Sequence, residues 1–218
     1  MIREFGTGEV IYIVLAIRWT IALSLIAFLG GALGGLTVAL ARVSDNTSAR
    51  LAATGFIRLF QGTPLLMQLF IVYFGLNIVG LPTSAWLAAA VALTLHASAF
   101  LGEIWRGCIQ AVPRGQTEAA DALAYGYVTR LKDVILPQAA RIAAAPTTGF
   151  LVQLIKSTSL ASIIGFTELT RAGQVISNAT FKPFVVISLV AVLYFILCWP
   201  LSLAAKRLES RFDRAVAR

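Results

Sequence analysis

From Leu59 to Gly102 the chain carries no Asp, Glu, Lys or Arg. At about 1.5 Å per helical residue, that run is too long for one bilayer crossing and right for two. The break falls in NIVGLPTSAW, Asn77 to Trp86, where Gly80 and Pro82 punctuate the chain and Trp86 suits an interface. The pattern recurs along the sequence. Thr20 to Ala41 is uncharged, with Arg18 and Trp19 at its head, Ile142 to Thr167 is interrupted only by Lys156, and Phe184 to Ala205 completes the set. The fold class expected is an all-α membrane protein with five transmembrane helices, about 12–41, 57–79, 84–106, 140–165 and 184–206, in one domain over 1–218.

Composition supports the bilayer as solvent. Of the 218 residues 58% are apolar and 13% charged, and mean hydropathy is +0.83, more apolar surface than a soluble core of this size absorbs. A net charge of +8 would suggest nucleic acid in a soluble chain. Here the basic residues cluster between apolar runs and set topology instead. With the N-terminus outside, the outer segments hold only Arg3, Arg171 and Lys182, and Arg18 and Lys156 sit at or within spans. The rest of the 18 basic residues fall in cytoplasmic segments, which places the C-terminus in the cytoplasm. Cys108 and Cys198 lie in or beside apolar runs and read as buried thiols. The opening MIREFGTGEVIYIV lacks a cleavable leader pattern, so the first span is expected to direct insertion.

One charged island interrupts this chain: the cytoplasmic loop of about 107–139. Pro113 and Gly115 break the chain after the third span, and Gln116 to Ala124 is rich in good helix formers. Glu118 and Asp121 sit early in that helix, where carboxylates suit the positive end of its dipole. Ala119 and Ala120 offer a small surface for close approach by another backbone. Tyr125-Gly126-Tyr127 makes a turn, and Pro137 stands where a helix enters the fourth span. An alanine in the left-handed region costs roughly 1–2 kcal/mol. Ala124 is therefore expected to stay helical, with Gly126 taking the turn or capping the next helix.

Glu118-Ala119-Ala120, followed by Val134-Ile135-Leu136-Pro137, resembles the EAA loop of ABC importer membrane subunits. Val134 stands for the usual Ile, and Ala124 stands where that family usually has Gly. Gln61 to Leu76, Phe100 to Ala120 and Ile155 to Gln174 are similar to the polar amino acid permeases. The resemblance implies a type I importer permease core in a bacterial inner membrane. It also implies that Gly115, Glu118, Ala119, Ala120, Ala124, Gly126, Leu136 and Pro137 form a coupling element gripped by a cytoplasmic ABC ATPase dimer. A second permease chain, identical or homologous, and a solute-binding protein that delivers an amino acid complete the implied assembly. No G-x-x-x-x-G-K-[ST] loop is present, so the chain is expected not to be an enzyme; ATP and magnesium belong to the partner ATPase. No metal site, other cofactor or nucleophile–base pair is read in the sequence.

Polar groups within spans mark the substrate path. The candidates are Gln68, His96, Glu103, Gln153, Lys156, Ser157, Thr158 and Ser159. Glu103 either meets substrate or gate, or pairs with Arg106 one helical turn on. His96 and Gln68 either face the path or bond neighbouring helices. Lys156 to Ser159 cannot all share one helix face, so unwinding or a wide polar cavity is expected there. By the same resemblance, some relatives that carry cationic amino acids have an acid at the position of Ser157, and its absence favours a polar, zwitterionic or acidic substrate. Gly30, Gly31, Gly34 and Gly35 are expected to form a packing seam with a partner subunit. The competing readings are a secondary carrier, a permease for another small solute, and a non-transporting scaffold. Glu103 is the single acid inside an expected span, which counts against the carrier.

Overall fold

A computed structural model describes residues 4–216, with side chains through Ser210. Arg3 and Arg218, which enter the charge balance, lie outside the described residues, as do the side chains of Arg211 and Arg214. Every regular element described is helical.

The first helix, α1 (Thr7–Val43), starts where the Gly6 N–H donates to the Glu9 carboxylate at 3.0 Å. At about 55 Å it is longer than the ~30 Å hydrocarbon layer. After a short turn, α2 (Thr47–Gln61) is capped by Asn46, whose side chain accepts from Ser48 and Ala49 N–H. α3 (Leu65–Ile78) departs from α2 at 101°. The second span, expected to run unbroken over about 57–79, is thus interrupted. Gly62 closes onto the Arg58 carbonyl at 2.9 Å, and Pro64 then takes an extended backbone ahead of α3.

α4 (Ala85–Gln110) follows the expected break, where Gly80 adopts φ +82° and Asn77 accepts from Thr83 N–H. On the charged loop that follows lies α5 (Arg114–Ala122). A helical turn at Tyr127–Thr129 and wider π turns at Arg130–Ile135 then lead into α6 (Leu136–Ser157). α6 gives way to a 3-10 segment, Thr158–Ser162, then α7 (Leu169–Thr180) and α8 (Pro183–Val216). α1, α4 and α8 are each long and apolar enough to cross a membrane, and the bent pair α2–α3 makes a fourth candidate. α6 extends for about 33 Å but carries Arg141, Gln153 and Lys156.

The core is built on α1 and α4. Leu23 and Ala27 of α1 pack with Ala89, Leu93, Ala97 and Leu101 of α4, and Phe150 and Leu154 of α6 cover them. The glycines let these helices touch. A Cβ on Gly31 would lie 2.4 Å from Ala97 Cβ, and one on Gly34 would lie 2.3 Å from Ser98 Oγ. Gly30 faces Thr94 and Gly35 faces Leu101 at 2.9 Å, while Gly102 of α4 admits Val38 in return. The expectation that Gly30, Gly31, Gly34 and Gly35 pack against a partner subunit is therefore corrected. Their open side is filled by α4 of the same chain. The spacing encodes close approach, and the helix that approaches is intramolecular. α8 is the reverse case: only 17% of its most apolar stretch is buried, with Phe184, Phe195, Ile196 and Trp199 exposed.

Gly31→Val tests the seam. The added side chain should cost about 1–3 kcal/mol by overpacking and lower the melting temperature of the detergent-solubilised chain. Gly8→Ala, where nothing lies within 4 Å of the new Cβ, should leave it unchanged.

Candidate functional site: a braced loop helix

α5 hangs below the helix bundle on two elbows. Its buried side is narrow: Ala120 is 3% exposed, while Glu118 and Ala119 are open. Only Ala119 of the two expected small contacts therefore remains free to meet another backbone. Beneath the bundle, Val112, Ile109, Ile135, Ala139 and Ala39 form an apolar plug that anchors the loop. Arg130 pairs with Asp121 at 2.5 Å, bridging the two halves of the loop. Gln138 donates to Gln116 at 3.1 Å and to the Val134 carbonyl at 2.8 Å. Tyr127 donates to the Val43 carbonyl at the end of α1, at 3.2 Å. The exposed helix is thus held at a fixed attitude to α1 and α6.

The first elbow contradicts the expectation for Ala124. It lies at φ +56°, in the left-handed region. Its N–H donates to the Asp121 carbonyl at 2.9 Å and Tyr125 N–H donates to the Ala120 carbonyl at 3.0 Å. That pair of bonds is a Schellman cap, which satisfies carbonyls otherwise orphaned at the helix end. Two hydrogen bonds outweigh the ~1–2 kcal/mol cost of a Cβ at this backbone conformation. Gly126 does cap the next helix, with an extended backbone at φ −67° and ψ 161°. Gly115 lies in the first turn of α5, and Leu136 and Pro137 open α6, with Pro137 in its first turn where its missing N–H is not needed.

The expected path residues separate into three groups. His96 Nδ1 lies 3.2 Å from Gln68 Oε1. The Gln68 amide donates to the Phe60 carbonyl at 2.8 Å and to the Thr63 carbonyl and hydroxyl at 3.0 Å. These two residues stitch the α2–α3 bend to α4, and His96 stacks on Phe100, which stacks on Phe150. Glu103 forms a two-point pair with Arg106, at 2.8 and 2.5 Å, with Arg42 at 3.9 Å. Arg42 also donates to Thr54 at 2.7 Å, so this cluster joins α1, α2 and α4.

The third group is the run Gln153 to Ser159. The expected unwinding is not what the chain does: Gln153 to Ser157 stay in α6, and the helix then tightens to 3-10 turns from Thr158. Thr158 and Ser159 return their hydroxyls to the Ile155 and Lys156 carbonyls, while Gln153 and Lys156 are exposed. No described hydrogen bond joins this run to His96, Gln68 or Glu103. Above the loop, between α1, α4 and α6, opens an apolar cavity of about 560 Å³, lined by Leu36, Trp105, Cys108, Ala139, Ala143 and Thr147 among others. Trp105 Nε1 donates to Thr147 across it at 2.9 Å.

A buried acid escaped the sequence reading. Glu168 is fully buried and caps α7, accepting from Thr170 and Arg171 N–H at 2.9 Å and from the Tyr194 hydroxyl at 2.8 Å. Burial pushes its carboxyl pKa up, opposed by those hydrogen bonds. Its signal was an acid followed by a polar helical stretch just past an apolar run, the pattern of a helix N-cap.

The family described as "Binding-protein-dependent transport system inner membrane component" matches residues 30–217. A Rickettsia conorii protein named as a glutamine transport system permease, GlnP, is 36% identical over 204 residues, 93% of this chain and 94% of its own. The L-cystine transport system permease protein TcyB of Bacillus subtilis is also 36% identical, over 93% of this chain and 87% of its own. A crystal structure described as an amino acid ABC transporter with histidines superposes with a TM-score of 0.86 at 32% identity, over 92% of this chain and 94% of that one. An inward-facing MetNI methionine ABC transporter shares the fold at a TM-score of 0.80 and 22% identity, over 98% of this chain and all of that one.

Ala124→Gly tests the elbow. Removing the Cβ at positive φ should stabilise the cap by about 1 kcal/mol. Exchange of the Ala124-position and Tyr125 amides should slow about fivefold, and unchanged or faster exchange would contradict the Schellman assignment.

Proposed function

The chain belongs to this family of binding-protein-dependent inner membrane transport components, as an ABC importer permease for amino acids, and we propose that its cytoplasmic loop is where a separate ATPase drives it. The observation that carries the proposal is the attitude of α5. An exposed helix presenting Glu118 and Ala119 is braced by an ion pair, a side-chain amide bond and a Schellman cap. A surface both open and fixed suits a part that must be gripped and must transmit force. A floppy loop would dissipate the stroke.

In this reading the chain crosses the bacterial inner membrane five times, with the N-terminus outside. Two permease chains flank the path, an ATPase dimer docks below, and a solute-binding protein delivers substrate from outside. ATP biases two packings of similar energy, so the path opens alternately to each side. This chain holds the path and supplies no hydrolysis. The substrate is a polar amino acid, zwitterionic or acidic. Two features support that choice: Ser157 supplies no acid to a cationic side chain, and the two permease sequences above are named for glutamine and cystine. Glu103, already paired with Arg106, is a structural ion rather than a substrate ligand.

Glu118→Lys tests the coupling. The variant should insert normally, lose ATP-driven uptake by about tenfold or more through charge reversal at the docking face, and retain less ATPase on co-purification. Undiminished uptake, together with no ATPase on the purified wild-type chain, would overturn the reading. A binding screen of the standard amino acids on the partner solute-binding protein should select a neutral or acidic one.

A further inference from the structure

The other end of α6 meets a buried polar cluster that the coupling loop does not use. Glu168 lies between the 3-10 segment and α7, and no cationic side chain comes within 4.0 Å of it among the described residues. Its Oε1 accepts from Arg171 N–H, and its Oε2 from Thr170 N–H and the Tyr194 hydroxyl of α8. A tyrosine hydroxyl has one hydrogen, and Glu168 takes it. The Thr170 hydroxyl lies within hydrogen-bonding distance of the Tyr194 oxygen, at 3.1 Å. The next residue, Leu169, donates its N–H to Thr20 Oγ1 of α1 at 3.2 Å, and Thr20 is fully buried. Tyr194 also packs against Val152 and Ile155 of α6, in a buried cluster with Cys198 of α8, and Thr158, the first residue of the 3-10 segment, is fully buried just beyond it.

Burying a carboxyl without a counter-ion is expensive, and an apolar pair would join α7 to α8 at less cost. What the hydrogen bonds add is direction: they fix α7 at one register against α1 and α8, while Tyr194 packs on the end of α6. α6 runs from the coupling loop to this cluster, and its α-helical stretch ends at Ser157, one residue before the buried Thr158.

The geometry points to Glu168 and Tyr194 as positioning residues for transport. They form a clasp that holds the far end of α6 still, so that movement entering at α5 reshapes the polar segment Lys156 to Ser159 instead of shifting α6 and α7 together. This rests on the transport reading above.

Two variants separate the clasp from the helix cap. Glu168→Asp keeps a carboxylate at the N-cap, a favoured residue there, but falls one methylene short of Tyr194. Tyr194→Phe removes only the hydroxyl. The test uses the whole transporter in proteoliposomes, with ATPase and solute-binding protein, and a mixture of the standard amino acids, each radiolabelled. Maximal uptake per ATP hydrolysed should fall about tenfold in both variants, the loss expected for one charge-assisted hydrogen bond. Half-saturation by loaded binding protein should stay unchanged, and the double variant should be no worse than either single one. Thr170 and Arg171 amides should remain protected from exchange in Glu168→Asp.

Wild-type uptake per ATP in both single variants would overturn the clasp alone. Losses that multiply in the double variant would also overturn it, because the residues would then act independently. A wild-type complex that takes up none of the mixture with ATP would overturn the transport reading and the clasp with it.

Discussion

Contact between the α1 and α4 backbones sets the geometry of everything else in this chain. Lipid tails are as apolar as leucine, so helices in a bilayer gain little from hiding apolar surface from one another and must be held by close packing. Gly30, Gly31, Gly34 and Gly35 supply that closeness against Thr94, Ala97, Ser98 and Leu101. Once α1 and α4 are in contact, Arg42 reaches Glu103 and Thr54, and the α2–α3 bend lies where Gln68 meets His96. Because the glycines are consumed within the chain, its outward faces are large and apolar. Leu33 of α1 is 73% exposed and Phe184 of α8 is 84% exposed.

The loop that carries α5 obeys different rules, because its charged side chains face outward. There α5 keeps its charges outward and spends one alanine, Ala120, on contact with the bundle. The left-handed Ala124 shows what the loop favours. A sharp elbow with satisfied carbonyls outweighs local backbone comfort, and the same elbow fixes α5 relative to Arg130 and Tyr127. Directly above, Pro137 opens α6, so any movement of α5 enters a helix that runs, past an internal proline at Pro146, to the 3-10 segment at Thr158.

Much of this was legible in the sequence, for identifiable reasons. The helices around Thr20–Ala41, Phe184–Ala205 and the second half of Leu59–Gly102 are announced by apolar length, and the Gly80–Pro82 break by turn chemistry. The helical loop and a change of helix type near Lys156–Ser159 follow from local composition, although the change is a tightening to 3-10 turns and not an unwinding. The bend at Gly62–Pro64 was overridden by the uncharged run around it, although Gly-Thr-Pro is itself a breaker. The glycine spacing encodes closeness without naming the neighbour, so an intramolecular seam read as an intermolecular one. Ala124 misled because propensity was weighed without counting the carbonyls that its turn would satisfy. Glu168 and Tyr194 are 26 residues apart, and only the folded chain brings them together.

The central claim is that α5 is the surface through which an ATPase moves the membrane helices. Amide hydrogen exchange along Arg114–Ala122, with and without the ATPase bound, tests it most directly. Docking should slow exchange across α5 and the Leu123–Gly126 elbow far more than in the equally exposed start of α2. Unchanged exchange over α5 with the ATPase bound elsewhere would contradict it.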